Sequence, residues 1–185
     1  MEAKGTAIEI LPKFVVSRFG RESLEEWIST LPIEARGEFS DGILSFRWYP
    51  LKDMLVVPTL RVCQLFYNGN TRGALEIGRF SAEYALRGIY KLFLKVRSPE
   101  FLMQRASRIL PTYYKPSAME VVETSRGRTT VRITDFKEMD EIIELRIKGW
   151  IEKALEIAGG RNITCSISQS LTKNDPYTDF VVTYE

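Results

Sequence analysis

The 185 residues include no histidine, which excludes every device that needs an imidazole: a Ser-His-Asp or Cys-His nucleophilic centre, a zinc site with imidazole ligands, a histidine-ligated haem. Cysteine is scarce. Cys63 and Cys165 lie far apart in apolar surroundings without CxxC spacing, and read as buried free thiols rather than a disulfide frame. No apolar run reaches membrane-spanning length, and no amino-terminal segment combines a basic start, an apolar stretch and a small-residue cleavage site. A soluble cytoplasmic protein is therefore expected. Phosphate loops, dinucleotide fingerprints and GxSxG elbows are missing too. Asp175 and Asp179 fit a turn and a strand end, with no second group placed to raise either pKa. We expect no catalytic residues, no metal site and no cofactor, and hence no enzyme.

What is present suits one globular unit spanning residues 1–185. Hydrophobic residues make up 44%, and 26 Lys and Arg face 24 Asp and Glu. A chain of this length buries roughly 70% of its unfolded surface and can build a core without disulfides. The charge is uneven, because residues 71–115 hold nine basic residues against three acidic ones. Arg87, Lys91 and Lys95 follow one helical line, as phosphate contacts would require. No helix-turn-helix spacing, RNP-type strand or zinc-finger frame supports nucleic-acid binding, so the line reads as a solvated or partner-facing flank.

Periodicity places helices first. Pro12 opens one that ends at Gly20, and Leu24, Trp27, Ile28 and Leu31 define a second, stopped by Pro32. A loop follows at Ser40-Asp41-Gly42. Ser45 to Pro50 leads into a helix over 51–67, kinked at Pro58. Residues 71–95 form the longest periodic segment, with Leu75, Ala82, Leu86, Ile89 and Phe93 on one line. Ile77, Phe80 and Tyr84 occupy the other side, which implies a second packing surface, either neighbouring helices or a second subunit. Gly78, Ser81, Ala82 and Ala85 are small enough to admit a close neighbour. Ser98-Pro99-Glu100 starts another helix, stopped by Pro111. From Ala118 to Thr134 the period changes to two around Arg126-Gly127, a β-hairpin. A helix from about Glu138 to Ala158 closes at Gly159-Gly160, and two strands complete the chain. The fold class is α+β: a helical layer packed on a four-stranded antiparallel sheet of two hairpins separated by a long helix.

Several short motifs carry a resemblance. Gly78-Arg79-Phe80-Ser81-Ala82-Glu83, Tyr90 with Leu92-Phe93-Leu94, Ser98-Pro99-Glu100, Tyr113-Tyr114, Gly149-Trp150, Gly159-Gly160 and Asp175-Pro176 with Asp179-Phe180 occur in an order that resembles an uncharacterised paralogous family of myxobacterial type. That family resembles a superfamily of four-vinyl-reductase-type ligand-binding domains, trafficking-complex (TRAPP) subunits of the Bet-three type and haem-nitric-oxide sensors. The resemblance implies an apolar cavity between the helices and the sheet that takes up small hydrophobic ligands. Haem sensors of the superfamily use a histidine and a Tyr-x-Ser-x-Arg signature, neither of which is present. Where some relatives have a cysteine in an Asp-Pro-x-Cys turn, this chain reads Asp175-Pro176-Tyr177-Thr178.

The pocket residues expected on this basis are Trp48, Tyr49, Arg79, Tyr90, Tyr113, Tyr114 and Trp150. Aromatics supply apolar walls with a polar tip, although core packing accounts for each equally well. Arg79, close to the apolar line of its helix, must be paired: as a clamp for a ligand carboxylate or phosphate, or in an ion pair such as one with Glu83. The functional expectation is a non-enzymatic small-molecule-binding sensor or regulatory domain, dimeric through helix 71–95. The alternative is an adaptor or scaffold subunit that binds other proteins and fills its cavity with its own side chains.

Overall fold

The computed structural model describes residues 1–87 and 99–185. The chain begins with a short strand, β1 (Glu2–Lys4), and four helices: α1 (Gly5–Ile8), α2 (Ile10–Phe19), α3 (Arg21–Ser29) and α4 (Ile33–Asp41). Gly20, at φ +94°, turns the chain between α2 and α3 in a conformation closed to most L-residues. After β2 (Trp48–Pro50), a π-helical turn over Lys52–Val56 passes into α5 (Val57–Phe66). Pro58 explains that turn: it has no N–H for the Met54 carbonyl, so the expected distortion appears as a widened turn just before the proline. Trp27 of α3, wholly buried, donates its indole N–H to the Pro58 carbonyl at 3.0 Å and ties the first helices to α5.

Helix α6 (Arg72–Arg87) covers the described part of the 71–95 segment, and α7 (Pro99–Ile109) begins at Pro99 as expected. Small residues let α6 run against α8 (Glu141–Ile157). A Cβ on Gly78 would overlap the Arg146 carbonyl, and one on Gly149 the Leu75 carbonyl. The second surface of α6 is met within the chain. Phe80 packs edge-on against Phe14 at 5.5 Å, and Lys13 donates to the Tyr84 hydroxyl at 3.0 Å.

Two antiparallel sheets follow from the pairing. The larger has the order β4 (Ala118–Ser125), β5 (Arg128–Thr134), β7 (Thr178–Thr183), β6 (Thr164–Gln169), two hairpins separated by α8. Gly127, at φ +73°, closes the first hairpin, and the Asp140 side chain caps α8 by accepting from the Ile142 N–H at 2.8 Å. Val131 faces Phe180 across β5 and β7, and both are wholly buried under the helices. The smaller sheet, β2-β1-β3 with β3 at Tyr114–Lys115, is an addition to the expected architecture, as are α1 and α4. Its strands are too short to show a period. One cluster of buried apolar side chains runs from Ala3 through the helices and the four-stranded sheet to Tyr184. Among the described residues no helix is long and apolar enough to cross a membrane.

Candidate functional site

The chain after α7 cannot stay helical past Pro111, and a tight turn over Leu110–Thr112 delivers Tyr113 and Tyr114 back towards the helices. Strand β1 holds them there: Ala3 pairs with Tyr114, and the Lys4 N–H donates to the Tyr113 carbonyl at 2.8 Å. Between this segment and the α6–α8 pair lies a cavity of about 60 Å³. Its walls are almost entirely apolar. Helix α8 contributes Arg146, Ile147, Trp150 and Ile151, α6 contributes Gly78 and Ser81, and Met119 of β4 closes one side. At ~10–15 Å³ for one water, the space suits roughly four to six small atoms.

Of the residues expected at a pocket, Tyr113, Tyr114 and Trp150 line this cavity. Tyr90 lies outside the described residues. Trp48 sits on the small sheet with the ammonium groups of Lys4 and Lys115 at 4.8 and 4.4 Å from its ring centre. Tyr49 is buried, and its hydroxyl accepts from the Leu44 N–H at 3.0 Å. Arg79 is engaged in ion pairs on α8, with Glu152 at 3.3 Å and with Glu156. Its partners are thus carboxylates across the helix crossing, where the sequence suggested Glu83 on its own helix as an example. Burial raises the Glu152 pKa above the usual carboxylate value. Burial also works against charge on Glu156, but hydrogen bonds from Arg79 and Lys153 outweigh it and hold that carboxyl below the usual value.

The residue that sequence reasoning missed is Arg146. Only 3% of it is exposed, and its guanidinium donates to the Thr59 hydroxyl and the Ala7 carbonyl, both at 3.0 Å. Burial lowers its pKa, opposed by the Tyr114 hydroxyl and by Cys63, yet an arginine stays charged at neutral pH. Tyr114 is buried beside it, and that burial raises its phenol pKa, so it remains a neutral partner. Among the described residues Arg146 has no carboxylate within ion-pair distance. The available signal was its position: it stands four residues from both Ile142 and Trp150, on the apolar side of α8.

Glu144, also 3% exposed, belongs to a separate polar cluster. Its carboxylate accepts from the Ser170 hydroxyl at 2.9 Å and from the Thr178 hydroxyl at 2.7 Å. Thr178 follows Asp175-Pro176-Tyr177, and this turn serves a buried hydrogen-bond network. Asp179 forms a two-pronged pair with Arg132, 2.9 Å on each arm, and Asp175 accepts from the Ser170 N–H at 2.7 Å.

The helical layer, the small sheet and the four-stranded antiparallel sheet together make the fold seen in H-NOX proteins. Over 98% of its length the chain is similar to an H-NOX protein from S. oneidensis in the Fe(II)NO ligation state, with TM-score 0.76, 13% identity and 99% of that chain covered. It is likewise similar to the Fe(II) unliganded H-NOX protein from K. algicida, with TM-score 0.72, 13% identity and 96% of that chain covered. A point mutant of the T. tengcongensis H-NOX protein gives TM-score 0.72 at 12% identity, with 97% of that chain covered. No protein-family model matches the chain, and no curated protein matches it in sequence.

Proposed function

We propose that this protein is a non-enzymatic small-molecule-binding domain of sensor or regulatory type, with its ligand in the cavity between α6, α8 and the Tyr113-Tyr114 segment. The observation that carries the reading is an apolar cavity of about 60 Å³ at the junction of the helical layer and the sheet. The likeness of fold to H-NOX proteins, and the resemblance of its motifs to a ligand-binding superfamily, support the same reading. Residues 1–185 act in it as one unit.

The residues present do not fit a haem held through an imidazole. The chain has no histidine, and the cavity accepts a few small atoms rather than a macrocycle. The ligand is therefore a small organic molecule or a gas taken up without that group. Native mass spectrometry of the purified protein tests the reading, followed by NMR titration of protein stripped of any ligand with 1-butanol or xenon. A retained small molecule, or saturable shifts of the Met119 and Ile147 methyl groups, is expected. Absence of both overturns it.

One observation favours a second reading, an adaptor that docks other proteins. Leu44 and Phe46, in one turn before β2, are exposed to 48% and 72%. A homodimer through helix 71–95 is a further part of the proposal, although Phe80 and Tyr84 are engaged within the chain. Sedimentation velocity distinguishes one copy from two.

A further inference from the structure

The cavity reading leaves open what distinguishes a ligand from any small apolar molecule, and Arg146 bears on that. A buried cation is expensive to desolvate, and proteins ordinarily place a carboxylate against it. Here the nearest buried carboxylate on the same helix, Glu144, is occupied by the Ser170 and Thr178 hydroxyls. Among the described residues the guanidinium meets only neutral oxygens, and two of the groups it meets, Ala7 and Tyr114, are themselves in the cavity wall. Among the described residues no acidic one lines the cavity. A second donor points the same way. The Trp150 indole N–H is buried, belongs to a cavity-lining residue and has no hydrogen-bond partner among the described residues. Among the described residues the space thus combines one positive charge without a carboxylate partner, one donor without an acceptor, apolar walls and room for roughly four to six small atoms.

Resting on the function proposed above, we infer that the cavity takes a short aliphatic monocarboxylate of acetate to butyrate size. Its carboxylate lies against Arg146 with the Trp150 N–H in reach, and its chain lies along Ile147, Ile151 and Met119. An ionised acceptor shortens and strengthens each hydrogen bond, and the ligand supplies the negative charge that the protein leaves out. The apolar walls favour a fatty acid over an inorganic anion, because a bare anion leaves them in contact with nothing it can desolvate.

NMR titration with sodium butyrate, butyramide, 1-butanol and sodium nitrate tests this, read at the Trp150 indole N–H, which Trp150→Phe assigns. Butyrate is expected to shift that resonance saturably and to bind about tenfold or more tightly than its neutral amide. Arg146→Met is expected to abolish the preference for butyrate while 1-butanol still binds. Should that variant fail to fold, Tyr114→Phe together with the butyrate-to-butyramide ratio of the unaltered protein decides between the outcomes. Equal binding of butyrate and butyramide, or nitrate binding as tightly as butyrate, overturns the inference. If 1-butanol binds and butyrate does not, the cavity reading stands and the carboxylate inference falls. If no probe binds, both fall.

Discussion

The carbonyl of Arg146 lies directly against Gly78, where any side chain on residue 78 would overlap it, and Gly149 meets the Leu75 carbonyl in the same way from the other helix. Helices α6 and α8 thus cross backbone to backbone, and this crossing positions Arg146 at the cavity.

Because the atoms met are backbone, neither helix can yield locally. Gly78→Ala and Gly149→Ala are each expected to destabilise the fold by about 1–3 kcal/mol or more in urea denaturation. Gly37→Ala is the control. Gly37 lies inside α4 with nothing within 4 Å of an added Cβ, and the substitution is expected to stabilise by about 0.5–1 kcal/mol.

Glu144 supports a second prediction, since its buried carboxylate is held by hydroxyls from the turn between β6 and β7. Thr178→Val keeps the shape of the side chain but removes the donor to Glu144 at 2.7 Å and the acceptor of the Leu171 N–H at 3.0 Å. The expected loss is about 1–3 kcal/mol, the range for a polar group left unsatisfied in the interior. A change below the error of the measurement would show that water replaces the hydroxyl there.

Much of this architecture is legible in the sequence, and the reasons are physical. The β4–β5 hairpin shows a period of two around a glycine, and α8 carries an apolar stripe long enough to stand out from chance. Strand β1 has three residues, too few for any period, yet its pairing with Tyr114 builds one wall of the cavity. Helix α4 buries only Ala35 and Phe39 and shows no stripe, and of the loop expected at Ser40-Asp41-Gly42 the first two residues form its last turn, with Gly42 ending it. Tyr113, Tyr114 and Trp150 were accessible as aromatics near turns and helices. Tyr49 and Trp48 share that signature, and only tertiary placement separates them. Arg146 carries no such signature, because a single arginine among the apolar residues of a helix does not show in the sequence whether its charge is buried or reaches solvent.

Cys165 predicts alkaline sensitivity. Burial pushes its thiol up to about 12 from a usual value of 9.0. The unfolded chain therefore releases this proton first as pH rises, and the folded state loses stability between those values, by at most about 1.4 kcal/mol per pH unit from this one group. Below pH 9 the contribution is fully present. Urea midpoints from pH 8.5 upward are expected to fall less steeply for Cys165→Ala than for the unaltered protein. The native thiol is also expected to react with a disulfide reagent only as fast as the protein opens.

The acid limb of the stability profile tests the reading of Arg79 as a structural partner of α8. Glu156, held below the usual carboxylate value of 4.5, contributes stability that is present at neutral pH and lost as pH falls through its folded pKa. Glu152, raised by burial, has the opposite sign: its contribution is present below about pH 4.5 and is lost as pH rises through its folded pKa. Glu156→Gln is therefore expected to flatten the acid loss, and Glu152→Gln to flatten the decline above pH 4.5. With Arg79 about a quarter exposed, a double-mutant cycle of Arg79→Met with Glu156→Gln should give a coupling of about 0.5–1 kcal/mol, reduced in 1 M salt. Since Arg79 lies outside the cavity wall, Arg79→Met should leave butyrate binding within about twofold of the unaltered protein. A large loss of binding, with the coupling absent, would instead make Arg79 a ligand clamp.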